Sequence, residues 1–312
     1  MNAVPENQAA SAVLMIRPAN FGANPETALS NAFQKSTETG AAVQARAVAE
    51  FEALAAALMA AGVQVEVYED RAEPVTPDAV FPNNWVSFHA DGSAYLYPLL
   101  AQNRRWERRN DILESLQAER GYRLTRVNDL SYAELDGRYL EGTGSLVLDR
   151  PNRVAYASLS PRTDARLLED WAGRAGYRTC AFHARDPKGR TIYHTNVMMC
   201  VGASLAVVCL DSIVELAMRE RVRQRLTETG HEVVSISPYQ MEAFAGNMLE
   251  LTGRGGRSLL AMSTRAERAL NPGQRADLEK HARIIAVPID TIEDCSGGSV
   301  RCMLAEIHLP KA

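Results

Sequence analysis

The 312-residue chain has the composition of an ordinary globular protein, with 46% hydrophobic and 23% charged residues. Its 38 acidic and 34 basic residues leave a formal charge of −4, which argues against nucleic acid or an anionic membrane as a partner. The five cysteines include no CxxC pair, which argues against a disulfide framework and a zinc knuckle. We therefore expect free thiols and no metal site.

We expect no targeting signal in the first residues of this sequence. Residues 1–12 lack the basic start and apolar stretch of a signal peptide, and no apolar run approaches the roughly 18 residues of a membrane span. We expect a cytoplasmic protein with a flexible N-terminal tail over residues 1–12.

The first elements after this tail are a strand, a long polar loop, a helix and a second strand. An apolar strand is predicted at 13–16, and residues 20–40 are polar and loop-like. The alanine-rich segment 41–61 predicts a helix that Gly62 ends, because glycine is the usual residue just past a helix C-terminus. Alternating apolar and polar residues predict a strand at 63–68, and FPNNW at 81–85 precedes another strand-like run.

The same order of helix, strand, polar turn and strand then returns four times. The predicted helices are 104–120, 164–175, 214–229 and 272–282, each followed by a strand, at 122–127, 177–182, 232–236 and 284–287. The polar turns are 140–144, 194–196 and 244–247, which enter strands at 145–148, 197–200 and 248–251, and finally 297–302.

Equivalent points of these units recur at a nearly constant period. They are Asn84, Gly142, Asn196, Asn247 and Cys302, with spacings of 58, 54, 51 and 55 residues. Such a period predicts five αβ units around an axis, with all five points at one central pocket. An open α/β sheet is the alternative, and it is disfavoured because the polar residues lie where strands begin and no phosphate-type glycine loop precedes a helix. We expect one domain over residues 13–312.

The last of these points carries the best candidate nucleophile. Gly297 and Gly298 permit backbone conformations and close approaches that other residues do not, and Cys302 follows at the start of the apolar run 303–307. This arrangement is expected to present a thiol at the edge of a strand. The competing interpretation is a buried cysteine that behaves as a small hydrophobic residue.

Six short motifs give the chain a resemblance to a known superfamily. They are FPNNW at 81–85, NRRWERR at 103–109, LEGTGS at 140–145, SPRT at 160–163, HTNVMM at 194–199 and GGSVRCM at 297–303. In this order they resemble the guanidino-group-modifying enzymes, that is, arginine deiminases, dimethylarginine dimethylaminohydrolases and amidinotransferases. Among these the chain looks most like the citrulline utilization hydrolases. The resemblance implies the pentein fold, a five-bladed α/β propeller, and a reaction without a cofactor.

The resemblance also assigns roles to individual residues. Cys302 matches the nucleophile, His194 the acid/base and Glu141 the carboxylate that orients the histidine. The chemistry requires such a set, because a thiolate that adds to a planar carbon must then expel an amine, which leaves readily only when it is protonated. Arg104 and Arg162 match positions that hold the substrate α-carboxylate, a task suited to a planar guanidinium.

Two departures from the arginine deiminase pattern bear on the substrate. Asn84 and Asn196 stand where those enzymes have aspartates that pair with a cationic guanidinium. The neutral amides favour a ureido substrate, so the leading hypothesis is a hydrolase of citrulline through a covalent Cys302 intermediate.

Other functions stay open from sequence alone. An arginine or methylarginine hydrolase and an amidinotransferase belong to the same class. A non-catalytic amino-acid-binding protein on the same scaffold is a second class. A metal hydrolase using His194, His308 and a cysteine is a third, and it lacks ligand spacing. The only partner expected is the small amino-acid substrate, and a homo-oligomer is left open.

Overall fold

The computed structural model describes residues 5–28, 30–31 and 33–311. The strands in this part of the chain are β1 (Ala12–Arg17), β2 (Gln64–Glu69), β3 (Val86–Phe88), β4 (Ser93–Leu96), β5 (Arg126–Asp129), β6 (Val147–Asp149), β7 (Val154–Ser158), β8 (Arg178–Phe182), β9 (Met199–Val201), β10 (Leu205–Val208), β11 (Glu232–Ser235), β12 (Leu249–Thr252), β13 (Ser258–Ser263), β14 (Arg283–Val287) and β15 (Ala305–Glu306). The helices are α1 (Pro25–Ala28), α2 (Ala41–Ala61), α3 (Asn110–Ala118), α4 (Gly142–Ser145), α5 (Ala165–Ala175), α6 (Leu216–Glu228), α7 (Pro238–Glu242), α8 (Thr264–Ala269), α9 (Pro272–His281) and α10 (Asp290–Ser296).

The strands form three-stranded sheets that repeat one topology five times. In each sheet one strand runs antiparallel to the middle strand, and the third strand runs parallel to it. A parallel pair needs a crossover, and here helices supply it, as α3 does between β4 and β5. The prediction of five αβ units is therefore confirmed.

One sheet is assembled from both ends of the described chain. β1 pairs in parallel with β2 and antiparallel with β15, so that Val13 lies opposite Glu306. Around the ring β15 contacts β3, α4 contacts β3, and β6 and β12 both contact β9, while α2 packs on β14. The five-bladed α/β propeller expected from the resemblance is confirmed.

The long helix α2 shows how sequence pattern becomes packing. Its buried residues recur every three or four positions, at Val43, Ala47, Phe51, Leu54 and Leu58, so one stripe faces the core. The helix ends at Gly62, whose φ of 93° lies in the left-handed region. A Cβ at this position would lie only 2.6 Å from Arg254.

Two predicted boundaries in the second unit were wrong. The helix predicted at 104–120 divides into a 3-10 turn, Asn103–Glu107, and α3, because Arg108 is extended and its guanidinium bonds to the Tyr97 carbonyl and to Glu134. The strand predicted at 122–127 begins instead at Arg126, where the register with β4 places it opposite Ser93.

Part of the predicted flexible tail is packed. The Nε2 of Gln8 donates to the carbonyls of Leu148 and Val201 at 2.9 and 2.8 Å, and Ala10 bridges to Leu251. Glu6 is 5% exposed and forms a 2.6 Å ion pair with the buried Arg150. The prediction of a flexible tail is therefore wrong for residues 5–12. It failed because the residues that hold this segment in place lie far away in sequence, where no local pattern points to them. Residues 1–4 lie outside the described residues.

None of the helices within the described ranges combines the length and the apolar character that crossing a membrane requires.

Candidate active site

Short turns before the outer strands of the five blades carry the candidate residues. They are the 3-10 turns Pro82–Asn84, Thr195–Val197 and Val300–Met303, the short helix α4, and Asn247 just before β12. These turns pack against one another: a Cβ on Gly142 would lie 2.2 Å from the Asn83 carbonyl oxygen. The structure thus brings the five repeat points of the sequence together.

The seven predicted site residues lie around one small cavity of about 20 Å³. Five of them line it: Asn84, Arg104, Arg162, His194 and Cys302. The other two contact the lining, Glu141 through His194 and Asn196 through Cys302. A cavity of this size holds about one water molecule.

Glu141 and His194 form a buried pair at the head of α4 and of the 3-10 turn Thr195–Val197. The His194 Nε2 lies 2.8 Å from the Glu141 Oε2. Burial lowers the pKa of His194 to about 4, although the bond to Glu141 works against this shift. Burial alone would raise the pKa of Glu141, but the charge of Arg162 and the hydrogen bond from His194 hold that pKa well below its usual value.

The protonation state of this pair follows. At neutral pH Glu141 is an anion and His194 is neutral, so Nε2 carries the hydrogen and donates it to the carboxylate. The other ring nitrogen, Nδ1, is then free to accept a proton. Gly144 leaves room for it, since a Cβ there would lie 2.8 Å from Nδ1.

The two candidate arginines are both buried and both already paired. Arg104 donates from Nε and Nη2 to the carboxylate of Glu107 at 2.8 Å and from Nη1 to the Asn84 Oδ1 at 3.0 Å. Arg104 is 2% exposed, whereas the side chain of the neighbouring Arg105 is 28% exposed. Of these two residues it is therefore Arg104 that turns inward. The two-pronged edge of Arg104 is therefore occupied by the chain's own carboxylate.

Arg162 is held by the long loop that precedes α2. Its Nη2 lies 2.7 Å from the Ser30 Oγ and also donates to the Thr27 carbonyl, and its Nη1 lies 3.4 Å from the Glu141 Oε2. The guanidinium stacks over the Tyr193 ring at 4.8 Å, a cation–π contact.

The same loop covers the cavity. We call residues 24–28, 30–31 and 33–36 the covering segment; Leu29 and Ala32 lie outside the described residues. Asn31 donates from Nδ2 to the Ser296 carbonyl at 2.6 Å, which ties the segment to the turn that precedes the nucleophile. Sequence reasoning predicted only a polar loop here.

Asp78 is a site residue that sequence reasoning missed. It is 3% exposed and lines the cavity, and its Oδ2 accepts a hydrogen bond from the Asn24 Nδ2 at 2.7 Å. Its other oxygen, Oδ1, has no hydrogen-bond partner in the part of the chain that the structure describes. No motif marks this aspartate, which stands six residues before the repeat point.

Cys302 lies in a turn and not at the edge of a strand as predicted. It belongs to the 3-10 turn Val300–Met303, and β15 begins only at Ala305. The two glycines before it are required by close contacts: a Cβ on Gly297 would lie 2.6 Å from Asn31, and one on Gly298 would lie 2.7 Å from Phe81.

Two side-chain amides face the sulfur of Cys302. The Nδ2 of Asn196 and that of Asn247 lie 3.4 and 3.3 Å from Sγ. The thiol is 4% exposed, so these donors act in a largely water-free setting. The sequence period predicts Asn247 as a repeat point and assigns it no role.

No metal centre is formed by the predicted residues. Across residues 5–28, 30–31 and 33–311 no group of three His, Cys, Asp or Glu side chains could hold a metal ion. The metal-hydrolase reading built on His194 and His308 has no geometric support.

A comparison with protein-family models identifies the family of this chain. The family model described as N,N dimethylarginine dimethylhydrolase, eukaryotic, matches residues 17–309. The chain belongs to this family. It is accordingly a member of the guanidino-modifying superfamily. A search of curated protein sequences gives no match.

Solved structures of the same superfamily share the fold. The cyanobacterial arginine dihydrolase ArgZ superposes with a TM-score of 0.74 at 15% identity over 96% of this chain, which spans 41% of ArgZ. The N-terminal domain of ArgZ, with a covalently bound reaction intermediate, gives 0.73 at 16% identity and is covered to 99%. A dimethylarginine dimethylaminohydrolase adduct with S-methyl-L-thiocitrulline gives 0.64 at 15% identity, with 96% and 100% of the two chains covered. At such identities the likeness concerns the pentein fold alone.

Proposed function

We propose that this protein is a cysteine-dependent hydrolase of the ureido end of citrulline. The observation that supports this most directly is that one amide atom of Asn84 and one of Asn196 are buried without a partner among the described residues. These atoms are the Asn84 Nδ2 and the Asn196 Oδ1. One is a donor and the other is an acceptor.

The orientation of both amides follows from their neighbours. The Asn84 Oδ1 accepts from Arg104, which has only donors to offer, so Nδ2 must point the other way. The Asn196 Nδ2 faces the Cys302 sulfur, which leaves its Oδ1 for another partner. A ureido group needs one donor for its carbonyl and acceptors for its N–H groups, whereas a guanidinium has no acceptor that could meet the Asn84 N–H.

The reaction then follows from the groups in place. His194 takes the proton of the Cys302 thiol on Nδ1, and the resulting thiolate adds to the ureido carbon. The tetrahedral adduct then expels ammonia or the δ-amine of ornithine, to which His194 transfers that proton. Water, deprotonated by His194, attacks the remaining thiocarbamoyl carbon and releases the thiolate. The resulting carbamate loses carbon dioxide. Glu141 keeps His194 oriented and favours its protonated state during these transfers.

The amino-acid end of the substrate requires opposite charges. Arg162 is proposed to bind the α-carboxylate, after the substrate displaces Ser30 and Thr27 from it. Arg104, whose forked edge pairs with Glu107, is proposed to contribute its remaining N–H groups and to orient Asn84. The unpartnered oxygen of Asp78 is available for the α-ammonium.

A second candidate is an arginine or methylarginine hydrolase. Two observations favour it: the solved structures with this fold include an arginine dihydrolase and a dimethylarginine dimethylaminohydrolase, and Asp78 adds negative charge to the cavity. A cationic guanidinium would gain from that charge.

A selectivity measurement separates the two. We expect kcat/KM to be higher for citrulline than for arginine or dimethylarginine, and the double variant Asn84→Asp/Asn196→Asp to move this preference towards arginine by roughly ten- to a thousand-fold. Asn128→Asp is the control, because this substitution makes the same chemical change on β5, away from the cavity. An unmodified enzyme that prefers arginine would contradict the ureido proposal, and substrate binding without any turnover would favour the non-catalytic alternative.

We propose a cytoplasmic location, where thiols remain reduced; all five cysteines are free in the structure.

A further inference from the structure

We infer that Asn247 is a further catalytic residue, which together with Asn196 stabilises the sulfur of Cys302 as a thiolate. Asn247 is fully buried, and its Nδ2 lies 3.3 Å from the Cys302 Sγ. The inference rests on the proposed function only for its effect on turnover, because the contact to the sulfur involves no substrate.

The fourth blade places Asn247 against the third. A Cβ on Gly246 would lie 2.5 Å from the Val197 carbonyl oxygen, so only glycine lets this turn approach the neighbouring 3-10 turn so closely. Within the turn the Asn247 amide N–H donates to the Phe244 carbonyl at 2.8 Å. The side chain is thereby carried to the edge of the nucleophile turn.

The orientation of the Asn247 side chain is determined on both sides. Its Oδ1 accepts the backbone N–H of Arg301 at 3.0 Å, and a backbone N–H can only donate. Nδ2 must therefore face the other way, where it has two acceptors, the Asn196 carbonyl at 2.9 Å and the Cys302 sulfur. Both hydrogens of the NH₂ group are used, one for each acceptor.

Two amide donors on one sulfur favour its charged form. The Asn196 Nδ2 reaches the same Sγ at 3.4 Å. A hydrogen bond to an ionised acceptor is about twice as strong as a neutral one, and the thiolate is the reactive form of cysteine. The two amides thus stabilise the nucleophile and orient it without adding charge to the cavity.

The substitution Asn247→Asp isolates this role. The side chain keeps its shape and one oxygen still accepts from Arg301, but the group that faces the sulfur becomes a carboxylate oxygen. We expect the pH at which iodoacetamide alkylates Cys302 at half its maximal rate to rise by about one pH unit or more. We expect kcat to fall by roughly 10- to 100-fold. The charge control Asn128→Asp should leave both quantities unchanged.

The measurement is made on the substrate-free protein, with the label located by peptide mapping and the fold checked by circular dichroism. An unchanged alkylation profile in folded Asn247→Asp would overturn the inference. If that variant does not fold, Asn247→Ser takes its place, because the short hydroxyl cannot reach the sulfur and should give the same upward shift; an unchanged profile again overturns the inference. A protein that shows the shift but does not hydrolyse citrulline keeps the inference and loses the proposed function.

Discussion

Two groups of charged and polar residues in this molecule are buried away from water, and they differ in how their hydrogen bonds are satisfied. The N-terminal charge cluster consists of Glu6, Arg150, Tyr177, Arg301 and Glu306. Glu6 bonds to Arg150 at 2.6 Å through one oxygen and to the Tyr177 hydroxyl at 3.2 Å through the other, and Glu306 lies 2.7 Å from Arg301. Every carboxylate in this cluster is met by side chains of the protein itself.

The candidate active site leaves more polar atoms unmatched than this cluster, in which Arg150 Nε is the one such atom among the described residues. Asn84, Asn196 and Asp78 each have one buried atom without a hydrogen-bond partner among the described residues. A buried group of this kind costs about 1–3 kcal/mol, which a ligand that supplies the missing partner recovers. Glu6 is the carboxylate that pairs with the buried Arg150, and we propose that the substrate carboxylate pairs with the buried Arg162 in the same way. Removing residues from the two groups should therefore damage different properties, activity in one and stability in the other.

The largest effect is expected at the nucleophile. Cys302→Ala should reduce turnover to the background of the assay, because no other group can form the covalent intermediate. Thermal unfolding should change little. Cys295→Ala is the matched control, since Cys295 is also buried and near in sequence but does not line the cavity. Turnover that survives Cys302→Ala would refute the covalent mechanism.

A smaller loss of activity is expected from the pair that moves protons. His194→Ala and Glu141→Gln should each lower kcat by about 10²–10⁴-fold and change KM much less, because both act on charge that develops during the reaction. Steady-state kinetics on variants with wild-type circular dichroism would test this. A rise in KM with unchanged kcat would assign both residues to binding.

The N-terminal charge cluster should respond in stability. Glu6→Gln removes the nearer of the two carboxylates that face the buried Arg150, which then keeps only Glu306 at 3.5 Å. Breaking a buried pair costs about 3–5 kcal/mol in the free energy of unfolding. Glu38→Gln, which removes the exposed partner of Arg46, should cost no more than about 1 kcal/mol. In urea unfolding at neutral pH the first variant should be far less stable, while its kcat/KM stays that of the wild type.

The pH dependence of this effect has a definite sign. Burial alone would raise the pKa of Glu6, but the charge of Arg150 and the hydrogen bond to His89 hold it far below the ordinary value of 4.5. A carboxylate with a depressed pKa stabilises the fold above its unfolded pKa and loses this contribution as the pH falls. The stability difference between wild type and Glu6→Gln should therefore shrink below about pH 4.5. A difference that grows in acid would contradict the ion pair.

The repeated architecture could be predicted from sequence because short, local stretches of the sequence determine each unit. Each unit carries its own helix, its own strands and a polar turn, so the period of the points from Asn84 to Cys302 was enough to infer five blades. The errors fell where distant parts of the chain decide the outcome. The start of β5 is determined by its register with β4, and the packing of residues 5–12 depends on Arg150, which is far away in sequence.

The candidate site was predicted less completely than the fold. The seven residues named from the motifs do lie together, but their contacts are not written in those motifs. The pairing of Arg104 with Glu107, the free oxygen of Asp78 and the cover that Asn31 provides come from a loop and a turn with no periodic pattern. Asn247 could have been suggested by one signal, its place in the same period as Cys302.

The pairing of β1 with β15 has a consequence for the order of folding. It joins Val13 to Glu306, a separation of 293 residues, and contacts between such distant segments form late because closing the intervening chain costs entropy. Cys302 stands three residues before β15, and its sulfur contacts the amides of Asn196 and Asn247, so we expect these contacts to be completed late in folding as well. We therefore expect a partly folded chain, in which β1 and β15 are not yet paired, to hold Cys302 apart from these two amides.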